Sequence, residues 1–154
     1  IITRAGNNYG DNQDDSKLIP KMIKRAIAGE DIEIYGDGTN FRQWTHVSDH
    51  VNGIMMAFHF VSIHSEKRSQ PKNFNIAGDD ILTNNEVVDV IIKATGSKSQ
   101  VKYVTDRPGH DKGYKIYCKL IQYHTGWKPS IPFSQGIASL IEKYTLEHNK
   151  STPV

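Results

Sequence analysis

The sequence predicts an α/β fold, and three observations predict it. Short β-branched or alternating runs recur between longer stretches whose apolar residues fall at helical spacing. Several of these runs end in polar segments rich in Asn, Gly and Asp, as strands do at the ligand edge of an open sheet. Helix boundaries are also marked. Thr83-Asn84-Asn85-Glu86 is a capping box, and Gly29, Gly96 and Gly126 each follow a helical stretch.

In chain order, Ile1-Ile2-Thr3-Arg4 reads as a strand, and Ala5 to Gly10 as a turn-rich loop that continues through Asp15. Leu18, Ile19, Met22, Ile23, Ala26 and Ile27 set a helix from Lys17 to Ala28, with Ser16 as its cap and Pro20 tolerated in its first turn. Ile32 to Tyr35 alternates like a strand and turns at Gly36-Asp37-Gly38; Phe41 to Val47 is a second extended piece. Ser48 is expected to cap a helix running to Ser62, with Val51, Ile54, Met55, Phe58 and Val61 as its buried stripe. A charged loop is expected over His64 to Lys72. Asn73 to Ile76 is a strand, and Val87, Val88, Ile91 and Ile92 pack the helix that the capping box opens. Val101 to Val104 is a strand leading into Asp106-Arg107-Pro108-Gly109-His110-Asp111. Tyr114 to Tyr117 is extended, Lys119 to Thr125 a short helix, and Phe133, Ile137, Leu140, Ile141 and Tyr144 mark a last amphipathic helix before a tail at Ser151 to Val154.

Composition narrows the functional classes. A chain of 154 residues is one domain or a large part of one. Nineteen basic against 17 acidic residues, net +2, is too balanced for a protein that coats nucleic acid or a membrane surface. The single cysteine, Cys118, allows no intrachain disulfide and suits a reducing, cytoplasmic setting. No apolar run approaches the roughly 20 residues of a membrane helix. The chain does not start with Met and opens as though within a strand, so an upstream segment is expected.

The groups that carry chemistry lie on separate segments: Asn7 and Asn8, the turn from Tyr35 to Arg42, Asn75, and Arg107 with His110. Arginine forks suit phosphate oxygens and amides suit hydroxyls and base edges, so the set fits an anionic ligand that also carries many hydroxyls. No glycine-rich phosphate loop, Cys-His metal spacing or separated triad is present, and Cys118 reads as structural. These are binding groups without a complete catalytic set.

The strings Thr3-Arg4-x-x-Asn7-Asn8-Tyr9-Gly10, Lys17-Leu18-Ile19-Pro20, Ile34-Tyr35-Gly36-Asp37-Gly38, Arg42-x-Trp44, Asp49-His50, Asn73 to Gly78 and Asp106 to Asp111 resemble the C-terminal half of the nucleoside-diphosphate-sugar 4,6-dehydratases, and among them the branch that acts on dTDP-glucose. The family belongs to the extended short-chain dehydrogenase/reductases. The resemblance implies the C-terminal substrate-binding part of an NAD(P)-binding Rossmann-type protein whose dinucleotide-binding part lies outside this chain. Residues 1–15 would end a Rossmann strand and its loop, and residues 16–150 would form the nucleotide-sugar-binding part. It implies NAD as cofactor, with Asn8 its contact here. It also implies a nucleotide-sugar substrate held by Asn7, Lys17, Leu18, Tyr35, Arg42, Asn75, Arg107 and His110. A homodimer or association with an N-terminal half is expected, and the chain alone is expected to be inactive. Gln43 stands where the family has Asp or Asn, Thr45-His46 where it has Leu-Tyr, and Tyr117-Cys118 where an Asp-Ala caps the next helix. Another epimerase or decarboxylase of the superfamily, or a non-catalytic binding module, are the alternatives.

Overall fold

The computed structural model describes residues 1–66 and 69–151. Among them run β1 (Ile2–Ala5), β2 (Asn7–Tyr9), α1 (Leu18–Ala28), β3 (Ile32–Tyr35), β4 (Phe41–His46), α2 (Val47–Ile63), β5 (Asn73–Ile76), β6 (Asp80–Thr83), α3 (Asn84–Thr95), β7 (Val101–Val104), α4 (Lys119–Thr125) and α5 (Phe133–Ser151). The α/β expectation holds, as three small sheets rather than one. β1 pairs with β5, β2 and β6 flank β4, and β3 pairs with β7. All the pairings are parallel except β4 with β6.

Two apolar cores result. In the first, α1, α3 and α5 close over β2, β3 and β4, burying Ile19, Ile23, Ile32, Val87, Val88, Ile91 and Ile137. In the second, α2 and α4 pack on β5 around Ala57, Phe60, Phe74, Ile76, Ile121 and Trp127. Each fully buried aliphatic side chain contributes about 1.5–3 kcal/mol.

Where local rules decide, the elements follow the sequence. Gly29, Gly96 and Gly126 sit in the left-handed region and end α1, α3 and α4. The reciprocal bonds of Thr83 and Glu86 open α3. Elsewhere the structure corrects the reading. Ser16 does not cap α1; its amide and hydroxyl are bound to Asp14, and Lys17 occupies the cap position. Ser48 does not cap α2; the helix starts at Val47, and the His46 ring accepts the Ser48 amide instead. Asn7 to Tyr9 is not a loop but a strand beside β4, and β6 was not foreseen. Tyr114 to Tyr117 forms no strand; only Gly113 makes an isolated bridge, to Phe41. α5 extends to Ser151, and residues 152–154 of the expected tail lie outside the described residues, as do residues 67–68 of the charged loop.

The largest correction concerns α2. Val51, Met55 and Phe58 are 51%, 59% and 56% exposed, and Ile54 also faces outward. The buried face carries Asp49, Gly53, Ala57 and Phe60. Small residues explain the choice: a Cβ at Gly53 would stand 2.8 Å from Ile76 Cγ2 and 3.1 Å from Trp127 Nε1. The helix turns its smallest residues to the sheet to come this close, and its bulky ones point away.

A seam of hydrogen bonds joins the two cores. Buried Gln43 donates to the Gly78 carbonyl (2.6 Å) and accepts from the Ile116 amide (2.8 Å). The Gly78 amide donates to Thr45 Oγ1 (2.7 Å). A Cβ at Gly78 would lie 2.2 Å from the Trp44 carbonyl oxygen, so the approach requires glycine. Buried Asp49 accepts from the amides of Ser130 and Ile131 and from the Ser130 hydroxyl, while its own carbonyl accepts the Trp127 indole N–H.

Candidate functional site

The sheet ends and one helix start meet at a cleft of about 560 Å³. Strand pairing brings its walls together. Parallel β2 and β4 set Asn7 opposite Trp44 and Asn8 opposite Thr45, so Asn7 and Asn8 lie just past Arg42 on the neighbouring strand. Parallel β3 and β7 set Tyr35 opposite Val104, so the turn after β3 meets the loop after β7. There Gly36, at φ 64°, comes so close that a Cβ would be 2.9 Å from an Asp106 carboxylate oxygen. The first turn of α1 brings Lys17 and Leu18 and carries no acidic residue, so the positive end of the helix dipole favours an anion.

Asn7, Asn8, Lys17, Leu18, Tyr35, Arg42, Arg107 and His110 all line this cleft. Asn75 does not. It lies on β5, where its amide donates to the Tyr117 carbonyl at 3.0 Å. The segment Asp106 to Asp111 is tied down rather than free. His110 Nδ1 stands 2.7 Å from Asp106 Oδ1, which also accepts the Arg107 amide at 2.8 Å. The bond from His110, first, and that amide hold the Asp106 carboxyl below its ordinary range. The Asp111 carbonyl accepts from Asn40 (3.0 Å) and from Arg42 (3.1 Å), which fastens the loop to the start of β4. Arg42 Nη1 also donates to the Phe41 carbonyl at 2.7 Å, so its guanidinium is aimed while its other N–H groups stay open. No hydrogen bond among the described residues engages the guanidinium of Arg107.

Three further residues stand at or next to the cleft. Gln13 donates to the Asn8 carbonyl (3.0 Å), and its Oε1 is buried without a partner. Trp44 packs on Tyr9 and Phe133, yet it also lines the cleft, and its Nε1 has no partner among the described residues. Tyr114 donates to Asn7 Oδ1 at 2.5 Å. Tyr114 carries no local signal, because its bond joins it to a residue far away in the sequence. Cys118 is structural, as expected: its buried sulfur accepts the Ala77 amide at 3.1 Å, and burial pushes the thiol pKa up. It stands at the N-cap position of α4 without a side-chain cap bond.

A family model described as GDP-mannose 4,6 dehydratase matches residues 1–140. The chain belongs to this family. A family relative, a dTDP-glucose 4,6-dehydratase from an Actinoplanes strain, is 35% identical over 145 residues, covering 94% of this chain and 43% of that protein. The crystal structure of a dTDP-glucose 4,6-dehydratase from Bacillus anthracis, in complex with NAD, superposes with a TM-score of 0.82 at 36% identity, covering 96% of this chain and 45% of that one. A UDP-glucose 4-epimerase from Thermotoga maritima shares the fold (TM-score 0.81, 21% identity, 97% of this chain and 46% of that one). The chain thus spans less than half the length of the dehydratases it matches. Among the described residues, no helix is long and apolar enough to cross a membrane.

Proposed function

We propose that this chain is the nucleotide-sugar-binding half of an NAD-dependent dTDP-glucose 4,6-dehydratase. In this reading residues 1–15 complete a Rossmann sheet, residues 16–150 hold the substrate, and an N-terminal half supplies the rest in the cytoplasm. One observation carries the proposal: a single cleft gathers two arginines, a histidine, two lysines and paired asparagines from segments scattered between Asn7 and His110.

The division of labour follows from charge and position. Arg42 and Arg107, converging from β4 and from the loop after β7, grip the pyrophosphate, with the α1 N-terminus and Lys17 adding positive potential. Tyr35 and His110 border the nucleoside, and Leu18 covers its apolar side. Asn7, two residues further along the paired strands than Arg42, meets the hexose. Asn8 keeps Oδ1 buried and unpartnered, an acceptor that suits an N–H donor such as the NAD carboxamide. NAD, when bound, supplies the hydride acceptor and donor for oxidation at C4 and reduction at C6 around the loss of water. This chain's part is to orient the sugar and neutralise the diphosphate; the proton-transfer groups belong to the other half. The apolar face of α2 and the β1–β5 pair offer that half its docking surface.

Incubating the complete protein with dTDP-glucose tests the reading: a 4-keto-6-deoxy product is expected, and a C4 epimer alone would transfer the chain to the epimerases. Turnover by the 154 residues alone would also refute it. Within the complete protein, Arg107→Ala should weaken nucleotide-sugar binding by about 2–3 kcal/mol. Calorimetry showing unchanged affinity would remove Arg107 from the site.

A further inference from the structure

We infer that Tyr114 is a positioning residue that aims Asn7 and Arg42 at one ligand, an inference resting on the nucleotide-sugar reading. Tyr114 is not itself part of the cleft lining. Its hydroxyl donates to Asn7 Oδ1 at 2.5 Å, and its ring centroid is 5.5 Å from Arg42 Cζ.

The first contact selects a chemistry for Asn7. A primary amide offers an acceptor at one end and two donors at the other. With Oδ1 engaged by the phenol, the Nδ2 amine is the end left for the cleft. Asn7 is thereby set as a donor, suited to a hydroxyl or carbonyl oxygen. The second contact constrains Arg42 in addition to its own hydrogen bonds. Nη1 is committed to the Phe41 and Asp111 carbonyls, and the ring restrains the guanidinium through its cation–π attraction.

The two targets sit on neighbouring strands. The register pairs Asn7 with Trp44, two residues beyond Arg42, a displacement of about 7 Å along the sheet. One ring thus spans the step from the pyrophosphate end of the cleft to its hexose end. The hydroxyl serves the hexose end and the ring face serves the diphosphate end. The two functions can therefore be separated by substitution.

The test uses the complete protein, titrated calorimetrically with dTDP and with dTDP-glucose. Tyr114→Phe keeps the ring and loses the hydroxyl. It should leave the dTDP Kd within about twofold and weaken dTDP-glucose about tenfold. Tyr114→Leu should weaken both ligands, by roughly threefold or more for dTDP. In an Asn7→Ala background, Tyr114→Phe should add no further loss, because its effect runs through Asn7. A full additional loss in that background overturns the inference, since the phenol would then act on the ligand directly or on the fold. So does a Phe variant that weakens dTDP as much as dTDP-glucose. Wild-type protein that binds both ligands while the Asn7 and Tyr114 substitutions act additively refutes the role of Tyr114 alone; wild-type protein that binds neither ligand refutes the nucleotide-sugar reading and this inference with it.

Discussion

The two cores use the same materials and end differently. Around β2, β3 and β4, three helices close the apolar side, and Ile23, Ile32, Val87, Val88, Ile91 and Ile137 are fully buried. Around β5, two helices cover one side while Val51, Met55 and Phe58 on α2, with Ile1 and Ile2 at the start of β1, remain in solvent. The first core is finished by residues of this chain, and it is the one the cleft is built on. The second leaves the bulky apolar residues Val51, Met55 and Phe58 of α2 and one side of the parallel β1–β5 pair uncovered. Parallel strands are ordinarily covered on both faces, so in the proposed reading an N-terminal half supplies that cover.

That contrast can be broken most directly by matched truncations. In the 154-residue chain, Ile23→Ala should cost about 2–5 kcal/mol and Phe58→Ala less than about 0.5 kcal/mol by urea denaturation. In the complete protein the cost of Phe58→Ala should rise to about 3 kcal/mol. Equal costs in both settings would mean that α2 never acquires a cover. At the seam, Asp49→Ala should cost about 2–3 kcal/mol, because it strands the amides of Ser130 and Ile131. A loss confined to the second core, visible as exchange of α2 amides but not of α3 amides, would show that the cores melt separately. Thr83→Ala should cost about 1 kcal/mol and act on the first core alone, by removing the α3 capping box.

The smallest effect is a matter of pH. The folded Asp106 carboxyl sits below its ordinary range, so the bond from His110 contributes above that range and is lost as the pH falls through the folded value. An NMR titration should therefore place the Asp106 midpoint below that of a free aspartate, and a midpoint at or above it would show that the pair does not form.

Much of the first core was legible. α1, α3 and α5 announce themselves through apolar spacing and, for α1 and α3, a terminal glycine, because a helix end is decided within a few residues. The α2 face was not, since the preference for Gly53 and Ala57 at the sheet depends on how near Ile76 and Trp127 stand, a tertiary fact. β2 escaped notice because Asn7 and Asn8 are poor strand formers, and only the ladder to β4 makes them one. In the cleft, residues within tight motifs, such as Arg107 and His110, were readable, and all but Asn75 converge. Tyr114 was silent, because its hydrogen bond reaches a partner far away in the sequence.

The parallel pairings carry a consequence for how the molecule assembles. Ile2 pairs with Asn73, and Ile32 with Val101, so these ladders cannot begin until a long intervening stretch has been made and its ends brought together. Loop closure on that scale delays zipping, and contacts distant in sequence set a slow tempo. β3–β7 gains at once from the helices packed beside it. β1–β5, with one side bare, has less to hold it once closed. It should be the last ladder to protect its amides during refolding and the first to release them.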